Sequence, residues 1–207
     1  MDKITIPRPE DGISPQEFFE RWLPETLGEM DEVIQKNAGE LEFVLCVRVE
    51  GEGGGDWSVL VEDGEVEVRP GLPDNGDLTL VLSRRDFEDA VTGRLDDLLP
   101  GMSWLQRGSE GADPARIAED LRSGSALLQK LKGSLRFCAD DKERPFRVLL
   151  KFGPEAGDEP DTVVTIDQEV LRQTARGETN LVQAFMSGKV KVEGAMDLIM
   201  QMAPLFS

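Results

Sequence analysis

Two passages of this chain align without a gap. DLTLVLSRRDFEDAVTGR, from Asp77 to Arg94, and DTVVTIDQEVLRQTARGE, from Asp161 to Glu178, stand at an offset of 84 residues. Leu82 meets Ile166, Phe87 meets Leu171 and Gly93 meets Gly177. Each passage reads as a strand, a polar cap, a short helix and a glycine stop, so a fold must accommodate that unit twice. A long helix followed by strands also precedes each passage, which implies two copies of one α+β unit. The identities are few, and chance similarity of a strand-helix-glycine unit stays open as the alternative.

The first copy opens at Ser14-Pro15-Gln16-Glu17, a capping box with proline at the first helical position. Phe18, Phe19, Trp22, Leu23, Leu27, Met30, Val33 and Ile34 then recur at helical spacing, with a break near Pro24 and an end at Gly39. Leu41 to Val49 and Trp57 to Glu62 read as a hairpin around the loop Gly51 to Gly55. Asp63-Gly64 is a type I′ turn signal leading to the alternating strand Glu65 to Arg69. The glycine loop opens onto a strand and lacks the Lys-Ser/Thr of a phosphate-binding loop, so it is read as a turn. LPDNGD, from Leu72 to Asp77, is also read as a turn: counted from Asp74, the twelfth position of a calcium loop would be Arg85, a cation. Ser83 caps a helix over Phe87, Ala90 and Val91.

Between Arg94 and Asp113 the pattern weakens, and RGSEGAD reads as a linker. The domain junction is placed there, giving units 1–108 and 109–207. A second helix begins at Asp113-Pro114, with Ile117, Leu121, Leu127, Leu128 and Leu131 on its core side and an interruption expected at Gly124. Strands are expected at Leu135 to Ala139, Phe146 to Phe152 and Thr162 to Ile166. The second copy then continues through Asn180 to Met186, SGKVKVEGAMD and a closing helix; the first copy has no such continuation and reads as truncated.

Composition narrows the function. The 207 residues carry a formal charge of -18, a field that repels phosphate backbones and argues against nucleic-acid binding and firm docking on anionic membranes. There is no histidine and no tyrosine, which removes histidine-dependent triads, histidine metal sites and tyrosine acid catalysis. Adjacent acids such as Asp96-Asp97 and Asp140-Asp141 sit in loop-like stretches and read as solvated, so no enzyme, metal or cofactor is expected. Cys46 and Cys138 lie in apolar strand-like runs and are read as buried free thiols. No apolar run reaches membrane-spanning length and no secretory leader is visible at the start, so the expectation is a cytoplasmic protein.

The ending is unusually apolar. Four of the seven methionines, Met186, Met196, Met200 and Met202, fall in it. In the last helix only Asp197 and Gln201 are polar, so the helix is expected to be covered nearly all round. That pattern suits either a cavity for an apolar ligand or a soft core. Lys189 and Lys191 alternate with Val190 and Val192. They read as the wet face of an edge strand, with contact to lipid headgroups as the functional alternative.

The order Gly177, Ala184, Phe185, Gly188, Lys189, Val190, Val192, Gly194, Met196 resembles the sterol carrier protein family of lipid-binding domains. GEGGGDWSVLVEDGEVEV followed by DLTLVLSRRDFEDAVTGRL is similar to the N-terminal portion of the same family. The resemblance implies an α+β fold, a mixed five-stranded sheet covered by helices, with an apolar tunnel between them. It implies binding or transfer of a sterol, fatty acid or fatty acyl-CoA without catalysis, and leaves room for transient membrane contact. Phe185, Met186, Met196, Ile199, Met200, Met202, Leu205 and Phe206 are the implied wall residues. The chain departs from the family in ending on Leu205-Phe206-Ser207, without a peroxisomal tripeptide, and in the shortened first copy. The alternative is a structural or interaction module that keeps the fold without the cavity. The ligand's identity and the oligomeric state are not fixed by the sequence.

Overall fold

A computed structural model describes residues 7–29, 41–93, 114–141 and 143–202. In chain order the elements are α1 (Pro15–Glu17), a π-helical segment (Phe18–Trp22), α2 (Leu23–Glu29), β1 (Phe43–Glu50), β2 (Gly55–Glu62), β3 (Glu65–Pro70), β4 (Leu78–Ser83) and α3 (Arg84–Val91). They continue with α4 (Pro114–Leu128), β5 (Gly133–Asp140), β6 (Phe146–Phe152), β7 (Thr162–Asp167), α5 (Gln168–Ala175), α6 (Leu181–Met186), β8 (Val190–Gly194) and α7 (Met196–Met202).

The strands form one eight-stranded sheet in the order β3-β2-β1-β4-β6-β5-β7-β8. The fold class is α+β, but the expected five-stranded sheet is corrected to one of eight. The physical reason is the seam. β4 and β6 pair antiparallel from Leu78–Phe152 to Val81–Leu149, so each satisfies backbone groups that an edge would leave open. One row of partners crosses every strand: Pro70, Trp57, Val47, Leu80, Leu150, Leu135, Thr162 and Gly194. It is almost wholly apolar, and the helices lie on it. The neighbouring row, on the opposite pleat, mixes the charged Asp56, Arg48, Arg136 and Glu193 with Val81, Leu149 and Val163. The result is two layers, one sheet face covered by the helices and the other carrying the charged residues at its surface, with small side chains such as Cys46, Ser58 and Ser134 buried between them.

Three side-chain clusters fill the covered face. Phe19, Val47, Val49, Trp57, Leu82 and Phe87 form the first, where the Phe19 ring stacks on Trp57 with centroids 4.9 Å apart. Ala139, Phe146, Ile166, Val170, Leu171 and Ala184 form the second. Leu78, Leu131, Leu135, Phe152, Leu198 and Met202 form the third, under the seam.

The local signals act as read. The Ser14 and Ser83 side chains accept from the Glu17 and Asp86 amides, each at 3.1 Å. Asp63 and Gly64 both take positive φ, as a type I′ turn requires. Cys46 and Cys138 are free and buried. Two details differ: α4 runs unbroken through Gly124, and the break near Pro24 is a π-helical segment just before it. The helix end at Gly39 and the junction between the units fall outside the described residues.

The two aligned passages occupy like positions. β1 pairs parallel with β4 and antiparallel with β2; β5 pairs parallel with β7 and antiparallel with β6. Asp77 accepts from the Val44 amide at 2.7 Å, and Asp161 from the Ser134 amide at 2.8 Å. α3 and α5 each span eight residues, and the glycines that follow, Gly93 and Gly177, have φ of 83° and 72°.

Candidate functional site

The candidate site is built on β7, α6, β8 and α7. α5 ends in a Schellman motif: the Gly177 amide donates to the Thr174 carbonyl and the Glu178 amide to the Gln173 carbonyl. Asn180 then caps α6, its side chain accepting from the Gln183 amide at 2.8 Å. A second Schellman motif closes α6, with Gly188 donating to Phe185 and Lys189 to Ala184. These two glycines let the chain reverse twice within a short span, which delivers β8 antiparallel to β7, Val190 opposite Ile166 and Val192 opposite Val164.

Gly194 is required by space as well as by conformation. Its φ is 96°, and a Cβ there would lie 2.1 Å from the Asp161 carbonyl oxygen. That close approach lets the Ala195 amide donate to Asp161 at 3.1 Å and the Thr162 hydroxyl donate to the Ala195 carbonyl at 2.8 Å. The entry to α7 is therefore pinned to the start of β7.

α7 is not covered nearly all round, as its composition suggested. Leu198 and Met202, one helical turn apart, are buried in the third cluster, and Ile199 is partly buried against it. Met196 and Met200, also one turn apart, face outward, Met200 being 71% exposed. A short helix on the rim of a two-layer structure has only one supporting face, so composition alone could not bury both. Phe185 and Met186 at the end of α6 are exposed too, Met186 at 83%. Among the described residues the exposed large hydrophobic side chains are these four: Phe185, Met186, Met196 and Met200. Of the sequence-derived wall residues, then, Met202 and Ile199 point to the core, four face solvent, and Leu205 and Phe206 fall outside the described residues. Leu198 shares the buried face with Met202, and its four-residue spacing from Met202 is the sequence signal for that face, obscured because most of its neighbours are apolar too.

Lys191 and Glu193 project from the wet face of β8, as alternation predicted. Residues suited to chemistry are scarce. Burial pushes the Cys46 and Cys138 thiols above their ordinary value, leaving them protonated and weak as nucleophiles. Among the described residues there is no group of His, Cys, Asp and Glu able to hold a metal ion. A separate cleft of about 300 Å³ lies in the N-terminal half, lined by Phe19, Glu20, Pro24, Trp57, Val68, Arg69 and Pro70.

Residues 115–207 match the SCP-2 sterol transfer family. This SCP-2 segment contains the whole candidate site. Solved structures similar to the chain include Sterol Carrier Protein 2 Like 2 from Aedes aegypti, 18% identical over 36% of this chain and 74% of that one, TM-score 0.30. The sterol carrier protein domain 2 of Helicoverpa armigera is 23% identical over 44% and 80%, TM-score 0.31. A stereoselective inverting sec-alkylsulfatase from Pseudomonas sp. is 16% identical over 59% and 25%, TM-score 0.27. No curated protein matches. None of the described helices, in the SCP-2 segment or before it, is long and apolar enough to cross a membrane.

Proposed function

We propose that this chain binds a sterol, fatty acid or fatty acyl-CoA without catalysis and passes it between membranes, with the SCP-2 segment as the binding unit. The observation that carries this reading is positional. Four exposed large hydrophobic side chains stand between residues 185 and 200 of an otherwise acidic chain, inside the segment that matches a sterol transfer family. Exposed methionines are adaptable apolar contacts, and each buried methylene of a ligand contributes about 0.8 kcal/mol, so hydrocarbon alone supplies affinity. Phe185, Met186, Met196, Ile199, Met200, Met202, Leu205 and Phe206 are the proposed contact residues, and Lys189 and Lys191 take no part.

The arrangement of the chain as units 1–108 and 109–207, the first a shortened and diverged copy of the second, belongs to the same reading. Its support is the recurrence of the strand pairings and of the Asp77 and Asp161 bonds.

Native mass spectrometry of gently purified protein, followed by titration with a fluorescent fatty acid, tests the reading. Bound lipid or saturable uptake is expected. Met200→Lys, a substitution on an exposed face that costs the fold little, is expected to weaken uptake about tenfold or more by placing a charge against hydrocarbon. Protein that carries no lipid and takes up no probe rules the proposal out. The rival reading, an interaction module of the same fold, draws on one feature: Leu198 and Met202 occupy the underside of α7 that a ligand would need.

A further inference from the structure

The strand orders of the two halves differ at complementary places. The N-terminal half runs β3-β2-β1-β4 and the C-terminal half β6-β5-β7-β8. By their pairings β2 corresponds to β6, β1 to β5 and β4 to β7. β3 has no counterpart beyond β6, where β4 stands instead. β8 has no counterpart beyond β4 among the described residues, where β6 stands instead. Each half meets the other at the edge where it is short of a strand.

The helix layer crosses the same seam. α7 belongs to the C-terminal half, yet Leu198 and Met202 pack in one cluster with Leu78 of β4, against which Phe43 and Leu45 of β1 and Leu80 of β4 are partly buried. All these side chains are apolar. The N-terminal half's own underside is filled by aromatic rings, Phe18 against Phe87 with centroids 5.4 Å apart and Phe19 stacked on Trp57.

Resting on the lipid-binding reading above, we infer that the N-terminal half is not a second carrier but one wall of the C-terminal half's site, with Phe43, Leu45, Leu78 and Leu80 meeting the hydrocarbon end of the ligand. A chain seated beneath α7 replaces contacts now made by Leu198 and Met202, and the cluster they belong to reaches across the seam.

Photocrosslinking in the intact wild-type chain tests this. The probe is a long-chain fatty acid carrying a diazirine at its terminal carbon, and adducts are mapped by peptide mass spectrometry. Adducts on peptides containing Phe43 and Leu45 or Leu78 and Leu80, together with adducts on α7, are the expected result. Uptake with adducts confined to residues 115–207 overturns the inference while leaving lipid binding intact. Absence of any uptake overturns lipid binding and this wall with it. A variant gives an independent measure. Leu78→Ala, folded by circular dichroism, is expected to shift the preferred length in a saturated fatty acid series upward, by about fourfold in affinity per added methylene. Val49→Ala, in the first cluster, is expected to leave the preference unchanged; an unshifted profile in Leu78→Ala counts against the wall.

Discussion

The half that runs from β1 to α3 and the half that runs from β5 to α7 share a frame and differ in what the frame presents. In both, an aspartate before a strand ties down the start of its parallel neighbour, and a capped eight-residue helix follows and stops at a glycine of positive φ. On the helices the chemistry diverges. The offset that aligns them sets Asp86 of α3 opposite Val170 of α5, and Asp89 opposite Gln173. Val170 sits in an apolar cluster, whereas Asp86 and Asp89 are buried charges. Asp89 pairs with Arg144 at 2.6 Å, and Arg85 donates to the Pro145 carbonyl, both in the β5–β6 loop. Gln168 of α5, also buried, donates to the Arg144 carbonyl at 2.9 Å. The N-terminal half turns Arg85 and Asp89 of α3 to the β5–β6 loop, where they fasten it to its neighbour. The C-terminal half keeps its apolar groups for its core and its rim.

The strongest way to break that picture is to empty the seam. Phe152 is 1% exposed and lies opposite Leu78. Phe152→Ala is expected to cost about 3–5 kcal/mol. If the halves form one cooperative body, denaturant melts followed by tryptophan fluorescence and by circular dichroism will shift together as one transition; two separated transitions would dissolve the seam as a structural unit. A milder probe compares the paired aspartates. Asp77→Ala removes the bond to the Val44 amide and is expected to cost about 1–2 kcal/mol. Asp161→Ala also removes a bond from the Ser134 hydroxyl and is expected to cost about 1 kcal/mol more in the same melts. Equal losses would mean that the resemblance of the two sites is only geometric.

The smallest expected effect is a pH dependence on the wet face. The hydrogen bond and charge of Lys151, with Arg48 adding to the field, hold the Asp158 carboxyl below its ordinary value. A depressed folded value means that the unfolded chain binds the proton first. The contribution is therefore present above the ordinary carboxylate value of about 4 and is lost as pH falls through the depressed one. Asp158→Asn is expected to flatten stability slightly in acid melts below about pH 4 and to change nothing at pH 7 beyond a small constant loss; the fully exposed position keeps the effect small.

Much of the frame was legible because its causes are local. A serine or aspartate ahead of a helix, an Asp-Gly turn and a glycine stop act over a few residues, and Ser14, Ser83, Asp63-Gly64, Gly93 and Gly177 behave accordingly. Alternation likewise placed Lys191 on the wet side of β8. The site was legible as a segment but not as a set of orientations. Met196, Met200 and Met202 look equivalent in a run where nearly every residue is apolar, and only the presence of a sheet on one side distinguishes Met202 from the others.

By itself, then, the sequence determined where caps, tight turns and glycine stops fall, that one pattern recurs at 84 residues, and that a methionine-rich apolar stretch lies near the end of the chain. Tertiary structure alone decided that the strands join into one sheet, that β4 and β6 close each other's edges, and that Leu198 and Met202 of α7 share a core cluster with Leu78 of β4. The physical reason is range. Caps and turns are satisfied within a few residues, whereas the bare edge of an apolar strand accepts any partner of compatible face. Which partner wins depends on packing summed over the whole covered layer.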